Sequence, residues 1–156
     1  MITDIYYVIP EIFLSLSLMF LLLLGVFKKD GSKIVYNLSL VSLIITVPLI
    51  LNVPSDSETL IFNDSYKIDY LSNFIKILIV VSTLFVLLTS SQYLKSIKIF
   101  SAEYPILILS SILGMMVMVS SNDLIVFYIG LELQSLALYV LASFNRDNIL
   151  SSESGL

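Results

Sequence analysis

The sequence predicts an all-α integral membrane protein of about five transmembrane helices, and three observations support this. Hydrophobic residues make up 58% of the 156 residues and charged residues only 13%, and the mean hydropathy of +1.00 exceeds that of globular domains. Apolar stretches of about 20 residues, the length that crosses a bilayer, recur along the chain. Within each stretch the apolar residues surround the helix, which is typical of a membrane span and not of an amphipathic surface helix.

Prolines and polar residues mark the ends of these stretches. Pro10 and Pro105 stand at helix starts, where the missing N–H does no harm. Pro48 is expected to kink or end the last turn of the second span, because it removes a backbone hydrogen bond. Asn122 is the expected N-cap of the fifth span. The predicted spans are residues 8–27, 34–51, 70–89, 104–120 and 124–144, all within one membrane domain covering 1–156.

The charges of the loops predict the orientation of the spans. Lys and Arg gather on the side of a membrane that is not translocated. The loop between the second and third spans holds only Lys67 as a basic residue but is acidic, whereas the first loop, the third loop and the end of the fifth span are basic. We therefore place the N-terminus outside. The acidic residues are Asp56, Glu58, Asp64 and Asp69, and the basic residues of the other loops are Lys28, Lys29, Lys33, Lys95, Lys98 and Arg146.

Composition also argues against several functional classes. The chain has no cysteine and no histidine, which removes disulfides, thiolate and imidazole metal ligands and the usual general base. The net charge is −4 and no basic run is present, so nucleic acid is not an expected partner. We expect no bound redox metal in this chain, and membrane lipids around it.

Glu132, near the middle of the fifth span, is the strongest candidate for function. An ionisable group at mid-bilayer costs about 2.5 to 3.5 kcal/mol on insertion scales. Tyr128, Glu132, Ser135 and Tyr139 are spaced four, three and four residues apart and share one helix face. Because desolvation disfavours the charged carboxylate, Glu132 can load and release a proton. The alternative is a permanently protonated glutamate that hydrogen-bonds a neighbouring helix.

Other ionisable residues lie nearer to span ends. Lys76 lies about two turns into the third span. Two interpretations of it stay open: a place in a proton path, or a structural role in which it snorkels to the interface or forms an ion pair with a neighbouring subunit. Glu11 and Glu103 are each within a turn of a span end and are expected to be interfacial. Asp123 is expected to serve the N-terminus of the fifth helix, where its charge opposes the positive end of the dipole.

Several motifs together resemble a known family. Residues 121–124 read SNDL, residues 128–136 read YIGLELQSL and residues 139–141 read YVL. This series resembles the fifth-helix motif of subunit 2 of the proton-pumping NADH–quinone (ubiquinone) oxidoreductase, respiratory complex I. The segment PEIFL at residues 10–14 is similar to the start of that family, EYPILILSSILGM at 103–115 to its fourth helix, and SESGL at 152–156 to the entry of its sixth helix.

The resemblance implies an antiporter-like subunit of the membrane arm, in which Glu132 belongs to a chain of buried ionisable groups coupled to quinone reduction. Lys76, Tyr128 and Ser135 are further candidates for the proton path. The resemblance also implies that NADH, flavin, iron–sulfur clusters and quinone bind in the wider complex. This chain is thus expected to take part in an H+-translocating NADH:ubiquinone reductase without redox chemistry of its own.

Residues 145–156 are expected to lead to a sixth helix. The sequence then departs from the family pattern, because the later helices and the lysines that pair with the glutamate do not follow. A second polypeptide supplying them is the expected explanation, and a fragment is the alternative. The mitochondrial inner membrane is expected from residue usage and the absent targeting signal, with the bacterial plasma membrane as the alternative. Two other functions stay open: a component of a multi-subunit cation/proton antiporter, and a structural membrane subunit without pumping.

Overall fold

The computed structural model describes residues 2–27, 31–55, 58–96 and 101–144, which form six helices and one β-hairpin. A short helix, α1 (Ile2–Tyr7), precedes α2 (Ile9–Phe27), α3 (Ser32–Leu51), the hairpin strands β1 (Thr59–Ile61) and β2 (Tyr66–Ile68), α4 (Tyr70–Ser96), α5 (Glu103–Val119) and α6 (Leu124–Ala142). The all-α membrane class is confirmed. In the described part of the chain, four helices, α2, α3, α4 and α6, are long and apolar enough to span a membrane, and α5 is a shorter apolar helix.

Helix α4 departs most from its predicted bounds, whereas the ends of the other spans lie within two residues of the prediction. Helix α4, which is the third predicted span, runs to Ser96, seven residues past the predicted end at Thr89. It continues because residues 90–96 contain no proline or glycine and Leu94 is buried in the core. Helix α5, which is the fourth predicted span, has 17 residues. This length corresponds to about 26 Å at the helical rise, near the lower limit of a span. The third helix continues past Pro48 to Leu51, so this proline stands in the last turn as predicted.

The helices pack around a core of aliphatic side chains. Helix α2 packs on α3 and α5, and α4 also lies against α3 and α5. Helix α6 packs on α5 as an antiparallel hairpin. The main core consists of buried residues from α2, α3, α4 and α5, whereas only Gly130 and Ala137 of α6 are buried. The core includes Leu14, Leu43, Val80, Leu87, Ile112 and Met116. The sixth helix therefore lies at the edge of the bundle.

The β-hairpin between α3 and α4 was not predicted, since the sequence indicated only an acidic loop. Its strands are antiparallel, with Thr59 opposite Ile68 and Ile61 opposite Tyr66. The turn residues Phe62, Asn63 and Asp64 have φ values of 55°, 55° and 65°, a left-handed region that Asn and Asp tolerate better than other side chains. The hairpin lies in the loop that carries the predicted acidic excess.

Hydrogen bonds join the hairpin to the loop between α5 and α6. The Lys67 amide donates to the Ser120 carbonyl at 2.8 Å, and the Asn122 side-chain amide donates to the Asp64 carbonyl at 2.7 Å. Asn122 is therefore not the N-cap of α6, contrary to the prediction. Asp123 has the extended backbone of an N-cap and its carboxylate accepts from the Ile125 amide, which confirms its expected place at the helix N-terminus.

The two ends of the bundle separate the loops as the orientation rule requires. The hairpin, the α5–α6 loop and the first turn of α2 meet at one end, which we call the hairpin end. Lys33 and Lys95 line one cleft at the other end. Which end faces outside stays a prediction. Several residues used for that prediction lie outside the described part of the chain: Lys28, Lys29, Asp56, Lys98 and Arg146, together with the segment 145–156.

Candidate functional site

Glu132 lies on the outer surface of the bundle, on a helix that contacts mainly α5. Its side chain is half-buried. The Tyr128 hydroxyl interacts with the Glu132 carboxylate across one helical turn. Among the described residues, no basic side chain forms an ion pair with Glu132. The carboxylate therefore has a phenol beside it but no opposite charge within this part of the chain.

The predicted polar stripe is only partly joined by contacts. Ser135 donates its hydroxyl to the Leu131 carbonyl of its own helix at 2.7 Å, and so its proton is not directed at Glu132. Tyr139 is 57% exposed. The structure thus brings Tyr128 and Glu132 together, and leaves Ser135 and Tyr139 on the same side of α6 without a recorded contact to the carboxylate. Their roles stay predictions.

The face of α6 that carries Glu132 is an exposed apolar surface, which we call the α6 face. Large side chains point away from the bundle there, and no described residue covers them. An exposed apolar face on a helix long enough to span a membrane is suited to contact lipid or further helices. The exposed side chains are those of Leu124, Ile125, Tyr128, Ile129, Leu136 and Tyr139.

The sixth helix approaches α5 at a point where two glycines meet. A Cβ atom built on Gly114 would lie 2.7 Å from both the Gln134 amide nitrogen and the Gly130 carbonyl oxygen. A Cβ atom on Gly130 would lie 2.8 Å from the Gly114 carbonyl oxygen. Only glycine allows this backbone approach. The contact fixes α6 two residues before Glu132 and so sets the position of the carboxylate.

Lys76 is buried at the hairpin end and forms an ion pair within this chain. Its side chain is 2% exposed, and its Nζ lies 2.6 Å from Glu11 Oε1. Nζ also lies 3.4 Å from the Tyr66 hydroxyl and 5.3 Å from the centre of the Tyr66 ring. Lys76 therefore neither snorkels to an interface nor leaves its charge for a neighbouring subunit. It is also not part of the group around Glu132.

Glu11 departs from its prediction as an interfacial residue. It does stand in the first turn of α2, but only 4% of it is exposed. Its Oε1 accepts a hydrogen bond from the Tyr66 hydroxyl at 2.9 Å. Burial, and then the nearby Glu11 carboxylate, raise the pKa of the Tyr66 hydroxyl, so the phenol keeps its proton and donates it. Glu103, by contrast, is exposed in the first turn of α5, in keeping with an interfacial position.

The sequence indicated that Lys76 needs a partner but not which one. A lysine inside a span requires an opposite charge or an aqueous route, and Glu11, Asp69 and Asp123 all stand near span ends on the same predicted side. No sequence pattern indicated the place of Tyr66, because its position depends on the unpredicted hairpin. Among the described residues, no group of three or more His, Cys, Asp or Glu side chains could hold a metal ion.

Comparison with known proteins finds relatives that are similar along nearly the whole of this chain, and a family model that matches its last part. The family model described as "NADH:quinone oxidoreductase/Mrp antiporter, TM" matches residues 121–156. A protein named NADH-quinone oxidoreductase subunit N from Pelagibacter ubique is 65% identical over 153 residues, which cover 98% of this chain and 32% of the relative. Proteins of the same name from Maricaulis maris and Paramagnetospirillum magneticum are each 44% identical over 154 residues, covering 98% of this chain and 32% and 31% of the relatives.

The chain therefore spans about a third of the length of the curated relatives it matches. The match begins near the N-terminus of this chain and includes helix α6, which bears Glu132. Those relatives confirm the resemblance read from residues 121–141.

Proposed function

The chain is homologous to the N-terminal third of NADH-quinone oxidoreductase subunit N, and we propose that it is a membrane-arm subunit of complex I. In this role it contributes to proton translocation coupled to electron transfer from NADH to quinone. Its chemistry is reversible protonation of Glu132, and it is part of an enzyme only as a subunit of the translocating complex. The homology and the transmembrane family model support the proposal.

The observation that carries the proposal is the setting of Glu132. A carboxyl group stands on an apolar helix face, with Tyr128 beside it and no cationic partner among the described residues. An ionisable residue within a span is expensive and is expected to serve a function. A carboxyl group whose environment changes as a cation approaches and retreats changes its proton occupancy, because the nearby positive charge favours the ionised form.

The partners we propose follow from the length of the relatives. The remaining two thirds of a subunit N would supply helices that cover the α6 face, together with the cationic side chains that pair with Glu132. A second polypeptide and a continuation of the same chain are both compatible with this. Other membrane-arm subunits of complex I and membrane lipids would complete the surroundings, and nucleic acid is not a partner.

We assign the redox chemistry to other subunits. NADH, flavin mononucleotide, iron–sulfur clusters and ubiquinone would bind elsewhere in the complex, since this chain has no cysteine or histidine to hold metal centres. For localisation, the reported relatives are bacterial, and we therefore propose the bacterial plasma membrane ahead of the mitochondrial inner membrane.

A second candidate function comes from the matched family itself. Its description includes the Mrp antiporter as well as the oxidoreductase. A component of a multi-subunit cation/proton antiporter would use the same carboxylate of Glu132, because both activities require a group that exchanges a proton inside the membrane. The relatives named as subunit N favour the oxidoreductase.

The experiment that tests the proposal is purification of the native membrane complex in mild detergent. Every polypeptide that comigrates with this chain is then identified by mass spectrometry. We expect flavin and iron–sulfur subunits in a band that oxidises NADH. A band of antiporter-like membrane chains without redox subunits would reject the proposal in favour of cation/proton exchange. An untagged membrane preparation, carried through the same steps, controls for chance comigration.

A further inference from the structure

A second set of buried ionisable groups lies at the hairpin end, and the role proposed for Glu132 does not use it. Glu11 comes from α2, Tyr66 from β2 and Lys76 from α4, so three elements converge on one point. Their exposed fractions are 4%, 6% and 2%. We call these three residues the Glu11 cluster.

The Glu11 carboxylate is bonded on one side only. Oε1 accepts from both the Lys76 ammonium and the Tyr66 hydroxyl. Oε2 is buried and has no hydrogen-bond partner among the described residues. Buried polar atoms are nearly always hydrogen-bonded, so Oε2 is a position where a water molecule or a proton would bind.

Packing alone does not explain this pair. Two charges removed from water lose hydration free energy, and well-packed apolar residues often replace a buried ion pair without loss of stability. A lysine ammonium, unlike an arginine guanidinium, can release its proton when its surroundings change. The pair thus combines a proton donor, an acceptor and an unpartnered acceptor atom in a water-poor site.

Buried hydroxyl groups lie on α3 deeper in the bundle than Lys76. The third and fourth helices are antiparallel, because Tyr36 bonds to the Leu87 carbonyl and Asn73 donates to the Val53 carbonyl. This register places Leu49 at about the depth of Lys76 and Thr46 about one turn deeper in the bundle. Ser42 and Ser39 follow one turn apart on the same buried face. Each hydroxyl donates to a carbonyl oxygen of its own helix and would have to rotate to pass a proton toward Lys76.

We infer that Glu11 and Lys76 form a second proton-carrying pair of this chain, at the hairpin end, distinct from Glu132. The inference rests on the proposed function. A proton moves from Lys76 Nζ to the Glu11 carboxylate, which leaves a neutral amine and a neutral carboxylic acid. The acid then releases its proton to water at the hairpin end, and the pair has a charge of −1. A proton from the bundle interior restores the Lys76 ammonium and the original neutral pair.

Tyr66 is a positioning residue in this scheme. Its hydroxyl holds Oε1 beside Lys76, so the transferred proton arrives on Oε1. Rotation of the neutral carboxyl group then turns the protonated oxygen toward the hairpin end, where the proton departs. In the part of the chain that the structure describes, Tyr66 is the ionisable group that bonds to the Glu11–Lys76 pair. The remaining neighbours named above are neutral.

The deciding variant is Lys76→Arg, made in the full-length protein within its complex. Arginine keeps the positive charge and can still pair with Glu11, but it cannot lose its proton at physiological pH. We expect the complex to assemble and the initial rate of proton uptake into inverted vesicles, per assembled complex, to be lost to a large extent. Lys67→Arg is the matched control, because Lys67 is a partly exposed lysine that pairs with Glu58 and Asp69 in the same hairpin. It should retain the wild-type rate.

A second variant covers the case in which arginine does not fit. The double variant Glu11→Gln with Lys76→Met removes both charges and leaves a neutral, similarly sized pair, which should assemble but lose proton uptake to the same extent. Wild-type uptake in either assembled variant would overturn the inference and leave the cluster as a structural ion pair. Failure of both variants to assemble would also overturn it, since the cluster would then be required for folding itself. If wild-type protein does not comigrate with NADH-oxidising subunits, the proposed function fails instead.

Discussion

Gly114 of α5 and Gly130 of α6 lie in direct backbone contact, so that a Cβ atom on either residue would meet the carbonyl oxygen of the other at 2.7 or 2.8 Å. Small residues at helix contacts allow close approach of backbones in membranes, where packing and not water drives association. This contact joins the helix of Glu132 to the rest of the bundle.

Gly130→Ala should destabilise the protein by about 1 to 3 kcal/mol, because the added methyl group meets backbone atoms that cannot move aside. The free energy of unfolding in mixed micelles measures this change. Gly25→Ala is the matched control, since its Cβ would meet only side-chain atoms, at 3.4 and 3.6 Å. Equal effects of the two variants would show that the glycine contact does not hold α6 in place.

Tyr66→Phe should lower the free energy of unfolding by about 1.5 to 3 kcal/mol, since it removes a hydrogen bond to a buried carboxylate. Among the described residues, the Glu11 carboxylate then retains Lys76 as its one partner. The measurement is again unfolding in micelles, with Tyr93→Phe as the control because Tyr93 is 65% exposed on α4. A cost below that of the control would contradict the bond between Tyr66 and Glu11.

Asp69 caps α4 through a reciprocal pair of hydrogen bonds with Ser72. Asp69 Oδ1 accepts from the Ser72 amide at 2.7 Å, and Ser72 Oγ accepts from the Asp69 amide at 3.0 Å. The bond from the Ser72 amide holds the pKa of the Asp69 carboxyl below its usual value. Asp69→Ala should therefore cost about 1 kcal/mol at pH 7.

The cost of Asp69→Ala should also depend on pH. A carboxyl whose pKa is lower in the folded state stabilises that state above its unfolded pKa, and this contribution disappears as the pH falls through the folded pKa. Unfolding measured between pH 7 and pH 3 should show the difference between wild type and variant shrinking at the acidic end. A difference that grows on acidification would contradict the assigned hydrogen bonds.

Asn122→Ala should loosen the hairpin, because the Asn122 amide donates to the Asp64 carbonyl. A single hydrogen bond of this kind contributes about 0.5 to 1.5 kcal/mol. Hydrogen–deuterium exchange should become faster at the Lys67 amide, which bonds to the Ser120 carbonyl. Ser121→Ala is the control, since the Ser121 hydroxyl donates within its own chain segment to the Met118 carbonyl. Unchanged exchange in Asn122→Ala would show that the Asn122 side chain does not hold the hairpin in place.

The sequence predicted the helices well because lipid imposes one strong condition on them, namely a long apolar segment with its backbone bonded internally. Their ends were less predictable. The fourth helix continues to Ser96 because no residue breaks it. Asn122 and Asp123 are both good N-cap residues, and only the backbone of Asp123, with φ −115° and ψ 145°, decides between them.

The candidate site divides in the same way. Glu132 could be found from the sequence because a carboxyl group within a span stands out against its apolar surroundings. The Glu11 cluster could not be assembled, since Glu11 and Lys76 are 65 positions apart along the chain and Tyr66 belongs to a hairpin without a strong pattern. Tertiary packing brings such residues together, and single-helix spacing does not describe it.

Proton uptake by the Glu132→Gln variant shows directly whether this carboxyl group carries protons. The measurement compares inverted vesicles that hold equal amounts of assembled wild-type, Glu132→Gln and Glu103→Gln complexes during NADH oxidation. Glu103→Gln makes the same chemical change at an exposed carboxyl group in the first turn of α5. We predict that Glu132→Gln assembles but takes up protons more slowly than wild type, while Glu103→Gln retains the wild-type rate. Wild-type uptake by Glu132→Gln would contradict the claim that this carboxyl group carries protons.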